Sequence, residues 1–335
     1  MFPPASCLFG RCLYCVAIGL LVASTGLWAG CRATSGPLKQ SAQGPLTTYQ
    51  QLAQREVASD RLYQAVVDQA DVEGFGHQLE VQSDLASPLA QADLERIKPA
   101  FEGSLKVMLF DLAPANFWEQ HLAEYYAGIL SIEEAQTLVD GYDSQRLYAS
   151  SRVQDLRRSF LTDRLSKLLP VVRARSQMFE ISNVTMVPTL FPGDHVVVNR
   201  AAYHTAGPQR GDIVLYRYPD EEGKRLVHRV IGLPGDRLEI RTQVLSVNGE
   251  VATEPYVQHT DSLMGPGNVR DHLGPTTVPP DAYFVLGDNR EESLDSRFLG
   301  PISKAQILGQ VVFVYWSVDR GLRSPRWDRL NRLVQ

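Results

Sequence analysis

The sequence predicts a mainly β C-terminal domain, preceded by an α-helical stretch and an N-terminal membrane-targeting segment. Three observations predict it. Residues 12–30 run CLYCVAIGLLVASTGLWAG without a charge, between Arg11 and Arg32. From about Tyr49 to Arg175 long stretches lack Pro, charges of both signs mix, and apolar residues recur at three and four, the period of a helix. After Phe179 short β-type runs alternate with turn residues, a pattern of antiparallel strands without intervening helices.

Helix geometry gives the apolar run a length of ~28 Å, close to the hydrocarbon thickness of a bilayer. That length suits both an uncleaved anchor and an export signal. Leu27-Trp28-Ala29-Gly30-Cys31 resembles a bacterial lipoprotein cleavage box, in which small residues precede a lipidated Cys. The departure is Trp28, where such boxes usually carry Leu. The resemblance implies lipidation at Cys31, and both readings tether the chain to membrane lipid through residues 1–31. Residues 32–48, rich in Gly, Pro, Ser, Thr and Gln, read as a linker.

Residues 49–175 read as a helical domain of unknown role and unknown partner. Phe117, His121, Tyr125 and Ile129 fall on one face of a candidate helix, and Ser131-Ile132-Glu133-Glu134 is a capping pattern for the next. His77 and His121 are lone histidines, better explained by packing than by chemistry.

The β domain is expected over 176–320. Its strand candidates are 196–198, 213–216, 230–231, 244–247, 283–286 and 311–315. Pro192-Gly193 and Pro234-Gly235 suit type II turns, and Asn248-Gly249 suits a tight hairpin. Residues 321–335 form an Arg-rich tail, in which Arg323, Arg326, Arg329 and Arg332 continue at intervals of three from Arg320 just before it. This tail suits either a membrane surface or packing on the β domain through Trp327.

Composition narrows the chemistry. The chain has 335 residues, 44% hydrophobic and 21% charged, which excludes a largely disordered or multi-pass membrane protein. A net charge of −5 gives no reason to expect nucleic acid. The four cysteines, Cys7, Cys12, Cys15 and Cys31, leave no thiol beyond residue 31 for a disulfide, a Cys-based zinc site or a nucleophile. His195, His204, His259 and His272 lack paired ligand spacing, so neither a metal nor another cofactor is expected.

A hydroxyl, an imidazole and a carboxylate remain. Thr185 sits among apolar residues just ahead of Pro188, His228 follows a strand-like pair, and Ser293, Asp295 and Arg297 alternate in GDNREESLDSRFLG. These are the parts of an acyl-transfer site, in which a base takes the hydroxyl proton and an acid orients the base. The backbone N–H of Thr185 and the amide of Asn183 are candidate oxyanion donors. By spacing alone the pattern is weak, because hydroxyls and acids are common.

The ordered motifs SNVTMVPTLFPGDHVVVNR, RGDIVLYRYP, LVHRVIGLPGDRLEI, VNGE…EPY and GDNREESLDSRFLG, with a closing YWS…RWDRL, resemble the successive boxes of type I signal peptidases over about 178–335. The resemblance implies antiparallel β sheets carrying a membrane-proximal serine endopeptidase. Its substrates would be precursor proteins whose export signals are cut after small residues, commonly Ala-X-Ala.

Carried over by position, Thr185 stands at the nucleophile, where the family has Ser. His228 stands at the base, where bacterial members have Lys. Asn183 replaces the Ser that helps form the oxyanion hole, and Val184 replaces a Gly. Ser293 and Asp295 keep the positions that orient the base, and Arg297 keeps the partner of Asp295 in a supporting salt bridge. Endoplasmic-reticulum and archaeal members resemble this chain in pairing His with an Asp near Asp295.

A His base needs no desolvation to become neutral near pH 6.5. The methyl of Thr185 restricts χ1 and crowds the attack. Two readings follow. One is a membrane-tethered endopeptidase in the bacterial cell envelope, with its folded domains outside the cytoplasm. The other is an inactive homologue that binds peptides as an exported scaffold.

Overall fold

The computed structural model describes residues 47–58, 61–67, 72–141, 160, 164, 167–168, 170–218, 223–259 and 268–334. The apolar run at 12–30, the cleavage box at Cys31 and most of the linker lie outside the described residues. No helix among the described residues is long and apolar enough to cross a membrane.

The helical stretch holds α1 (Thr48–Ala58), α2 (Arg61–Val67), α3 (Val72–Ser83), α4 (Gln91–Lys106), α5 (Phe117–Ile129) and α6 (Ile132–Asp140). Ser131 caps α6 with a reciprocal box: its Oγ accepts from Glu134 N–H, and its own N–H donates to Glu134 Oε2 at 2.7 Å. On α5 the large buried side chains among the described residues are Trp118, Leu122 and Tyr126. Phe117, His121 and Tyr125 lie one position before them and are only half-buried. Trp118 anchors the helix by donating its indole N–H to Leu109 O at 2.8 Å.

The chain divides into two compact units, one comprising residues up to Gln78 with Phe101–Arg173, the other Leu79–Ala100 with Ala174–Gln335. The second unit therefore takes a piece from within the helical stretch. Polar contacts explain why. Trp316 Nε1–H donates to Ser83 Oγ at 2.7 Å, Ala86 N–H donates to Arg323 O at 2.8 Å, and the Arg96 guanidinium lies 4.9 Å from the Trp327 ring.

The β unit is antiparallel. Its strands are β1 (Ser176–Glu180), β2 (Asp194–Asn199), β3 (Ile213–Arg217), β4 (Arg225–Gly232), β5 (Arg237–Arg241), β6 (Val244–Val247), β7 (Glu250–Val251), β8 (His272–Thr277), β9 (Ala282–Leu286), β10 (Ile302–Ser303), β11 (Ile307–Asp319), β12 (Ser324–Pro325) and β13 (Arg332–Leu333). One sheet runs β1-β2-β11-β3-β4-β9-β10, with β12 and β13 also on β11, and a smaller sheet runs β7-β6-β5-β8.

Every strand candidate of the sequence falls within one of these elements. The alternation Arg-Leu-Glu-Ile-Arg of β5 and the Gly- and Pro-containing β8 carried too little apolar signal to be singled out. β8 tolerates Pro275 because it lies at the edge of its sheet. Gly193 and Gly235 have φ of +90° and +88°, as a type II turn requires, and Asn248 and Gly249 both have positive φ in their hairpin.

Period-two alternation sorts the long strands into two faces. Ile213, Leu215 and Val227 enter one core with Met186, Leu190, Val196 and Val311. Val214, Tyr216, Leu226 and Val230 enter another with Tyr283, Val285 and Ile302. Complete burial of a Leu- or Val-sized side chain contributes ~1.5–3 kcal/mol, so these two clusters hold the sheet.

The Arg-rich tail packs on the β unit. Trp327 meets Trp316 edge-on at 6.1 Å, and Arg329 is buried with its guanidinium on the Asp194 carboxylate at 2.5 Å and over the Phe191 ring at 4.4 Å. Removing the acid from a buried pair strands the cation and costs ~3–5 kcal/mol. Asp194→Ala is therefore expected to lower unfolding stability by about that amount. Urea denaturation of the full-length chain measures it, and an unchanged midpoint would contradict the role given to this pair.

Candidate active site

The site is assembled from three segments of the β unit. Thr185 lies on the loop between β1 and β2, His228 on β4, and Ser293, Asp295 and Arg297 on the segment after β9 that enters the short helix α7 (Ser296–Leu299).

Gly287 brings the first and third segments together. A Cβ placed there would fall 2.3 Å from Ser293 Oγ and 2.6 Å from Thr185 O, so only glycine permits this approach. Asn289 extends the seam: its N–H donates to Thr185 O at 3.0 Å and its side-chain amide donates to Val184 O at 3.3 Å.

His228 is 1% exposed and both ring nitrogens are occupied. Nδ1 lies 2.8 Å from Tyr216 Oη, and Nε2 lies 3.3 Å from Ser293 Oγ. Burial pushes its pKa down to about 4, the Arg297 charge adds to this, and Asp295 and Asp288 oppose it. The imidazole is therefore neutral at pH 7, the state a general base needs.

Asp295 acts on the ring through space and through Ser293. Its carboxylate is taken by Arg297, whose Nε and Nη2 both reach it at 2.8 Å, and by Gly287 N–H at 3.0 Å. Burial alone would raise the Asp295 pKa, but the hydrogen bonds and charge of Arg297 outweigh it, with His228 and Ser293 adding to the fall. The acid stays ionised.

Thr185 is half-buried and its hydroxyl donates to Asn183 Oδ1 at 2.8 Å, with its backbone N–H 3.3 Å from the same oxygen. The structure thus brings Thr185 to Asn183, and His228 to Ser293 and Tyr216. It does not join Thr185 to His228 by a direct hydrogen bond: the Thr185 hydroxyl donates to Asn183, and the two His228 nitrogens face Tyr216 and Ser293. Of the two oxyanion candidates, the Thr185 N–H is taken by Asn183 Oδ1, a contact that does not use the Asn183 amide N–H.

Two participants escaped the sequence reading. Tyr216 reads as an ordinary β-former, and its position on the His228 face could be found only by pairing the period-two patterns of β3 and β4. Arg229 follows His228 and so projects to the opposite face. There its Nε and Nη2 reach the Asp288 carboxylate at 2.9 and 2.8 Å, and its guanidinium covers the Tyr256 ring at 3.9 Å. Arg-Gly-Asp at 210–212 is internal scaffolding: Arg210 pairs with Asp236 at 2.8 Å, and Asp212 accepts from Tyr203 and Gln310. Among the described residues, no group of three or more His, Cys, Asp or Glu comes together to hold a metal ion.

Residues 166–316 match the family model described as signal peptidase, peptidase S26. A signal peptidase I of Bacillus caldolyticus is 38% identical over 156 residues, covering 43% of this chain and 85% of that protein. Signal peptidase IB of Staphylococcus aureus strain COL is 38% identical over 148 residues, covering 41% of this chain and 76% of that protein. A crystal structure of a signal peptidase I from Enterococcus faecalis V583 is 37% identical, covering 31% of this chain and 95% of that one, with a TM-score of 0.26. With these two signal peptidases matched over most of their length at this identity, the chain belongs to the signal peptidase I family, peptidase S26.

Proposed function

We propose that the chain is a membrane-tethered endopeptidase that removes export signals after small residues, by acyl transfer through a hydroxyl nucleophile. Thr185 is the nucleophile and His228 the general base. Ser293 and Asp295 orient the base, Arg297 holds Asp295, and Asn183 with the Thr185 N–H serves the oxyanion. The observation that carries this reading is a buried, neutral His228 whose Nε2 faces Ser293, itself packed through Gly287 against the Thr185 backbone. For turnover, the Thr185 hydroxyl must leave Asn183 Oδ1, and the donors offered to a bound carbonyl are the Thr185 N–H and the Asn183 side-chain N–H. The engaged hydroxyl equally suits a second reading, a peptide-binding homologue without turnover.

The test uses the full-length chain and a precursor with an Ala-X-Ala cleavage site. Thr185→Ala and His228→Ala are each expected to lose at least ~10³-fold in kcat, as removal of a nucleophile or base does elsewhere. Thr185→Ser is expected to gain about tenfold, since it keeps the hydroxyl and removes the χ1 restriction. Equal inactivity of all forms, with peptide binding retained, would select the second reading.

The neutral imidazole exists above its pKa, so activity should rise as pH increases through about 4 and then stay level through neutrality. A base with the ordinary His value would place that rise near pH 6.5 instead. A pH profile of kcat/KM separates the two.

The tether rests on the uncharged run at 12–30 and on Cys31. Labelled palmitate is expected to enter the wild-type chain and not Cys31→Ala. Label unaffected by the substitution would reject Cys31 as the lipidation site, and absence of label would favour an uncleaved anchor.

A further inference from the structure

The register of β3 on β4 sets Val214 opposite His228 and Tyr216 opposite Leu226, which makes Tyr216 and His228 diagonal neighbours on one face. The Tyr216 hydroxyl lies 2.8 Å from His228 Nδ1, and Ser293 Oγ lies 3.3 Å from Nε2. Tyr216 is 0% exposed, and His228 and Ser293 are 1% exposed each. A neutral imidazole has one N–H and one lone pair, so this string of polar groups has a direction.

The two ends decide the direction. Ser293 Oγ lies near the Asp295 carboxylate, which can only accept, so the serine hydrogen is best placed toward the acid. The serine oxygen then faces Nε2 as an acceptor, and Nε2 carries the hydrogen. At the other end burial raises the Tyr216 pKa, so the phenol keeps its proton, and the Nδ1 lone pair is there to receive it. The 2.8 Å contact at Nδ1 leaves the buried phenol no other acceptor among the described residues. The opposite tautomer would turn two donors on one another at Nδ1 or leave the buried phenol O–H without an acceptor, a disadvantage of about tenfold or more in the tautomer ratio.

The geometry points to Tyr216 as a positioning residue, whose phenol donates to His228 Nδ1 and holds the ring in the tautomer protonated on Nε2. Its relevance to the reaction rests on the reading of His228 as the base. In a hydroxyl–imidazole–carboxylate triad the group at Nδ1 accepts a hydrogen bond and favours the charged ring. Here the group at Nδ1 donates, and a donor there favours the neutral ring alone, because the protonated ring carries hydrogens on both nitrogens. Tyr216 thereby weakens His228 as a base, and the ring must pass to its other tautomer before Nε2 can take the Thr185 proton.

Nitrogen NMR of the full-length chain, labelled at histidine, tests this, with His228→Gln used to assign the signal. The wild-type ring is expected to show Nδ1 unprotonated and Nε2 protonated in its neutral form. Tyr216→Phe removes a bond made only to the neutral ring, so the His228 pKa should rise by about one unit, a tenfold gain in proton affinity. The charged groups around the ring, Asp295, Arg297 and Asp288, are the same in both proteins. Unshifted signals from the other histidines report that the variant folds.

A protonated Nδ1 in the wild-type neutral ring overturns the proposal by itself, whether or not the variant folds. So does an unchanged or lowered pKa in Tyr216→Phe, since a bond donated by Nδ1–H would persist in the charged ring. Neither readout needs turnover. Inactivity in the cleavage assay would therefore remove the assignment of His228 as base and leave the tautomer result standing, and the reverse holds equally.

Discussion

The candidate site depends on the ion pair between Asp295 and Arg297, both side chains of which are 0% exposed. Neither charge has water to fall back on, so each must keep its partners. Asp295 takes Gly287 N–H, and Arg297 donates to Arg290 O and Arg270 O, which binds the segment from 287 to 297 into one piece. Ser293 is carried on that piece. Its position against His228, and the contact of Gly287 with the Thr185 backbone, follow from the pair rather than from any preference of the loop itself.

A second constraint is desolvation on β4. Two consecutive residues, His228 and Arg229, are buried on opposite faces of one strand, and burial acts on them differently. His228 can lose its proton, so the interior lowers its pKa and leaves it neutral. Arg229 cannot, so it is matched instead by Asp288, with two hydrogen bonds and an aromatic ring over the guanidinium. The acids Asp288 and Asp295 thus belong chiefly to arginines. The histidine is left to hydroxyl groups, an arrangement unlike a triad in which the acid touches the ring.

Much of the β unit was legible in the sequence. Runs such as Ile213-Val214-Leu215-Tyr216, bounded by Gly-Asp and Pro, carry their strand signal in the side chains themselves. β5, β8 and β1 were less legible, because short strands with charged or turn-forming residues are stabilised by neighbours rather than by composition. The recruitment of Leu79–Ala100 to the β unit was not legible at all. It depends on Ser83, Asp84 and Ala86 finding partners more than two hundred residues away. The tail was ambiguous for a related reason: an Arg every third residue suits lipid and acids alike, and the buried Asp194 becomes visible only when the sheet is assembled.

The sequence by itself determined the chemical inventory: a hydroxyl at 185, an imidazole at 228, a carboxylate and its guanidinium at 295 and 297, and no thiol beyond residue 31. It also determined their order along antiparallel strands, because alternation and turn residues are local properties. Tertiary structure decided which atoms meet. Asp295 went to Arg297, the Thr185 hydroxyl to Asn183, and the His228 nitrogens to Tyr216 and Ser293. Those pairings are set by strand register, by the close approach at Gly287 and by the need of every buried donor for an acceptor. All three are relations between distant segments, and no local pattern encodes them.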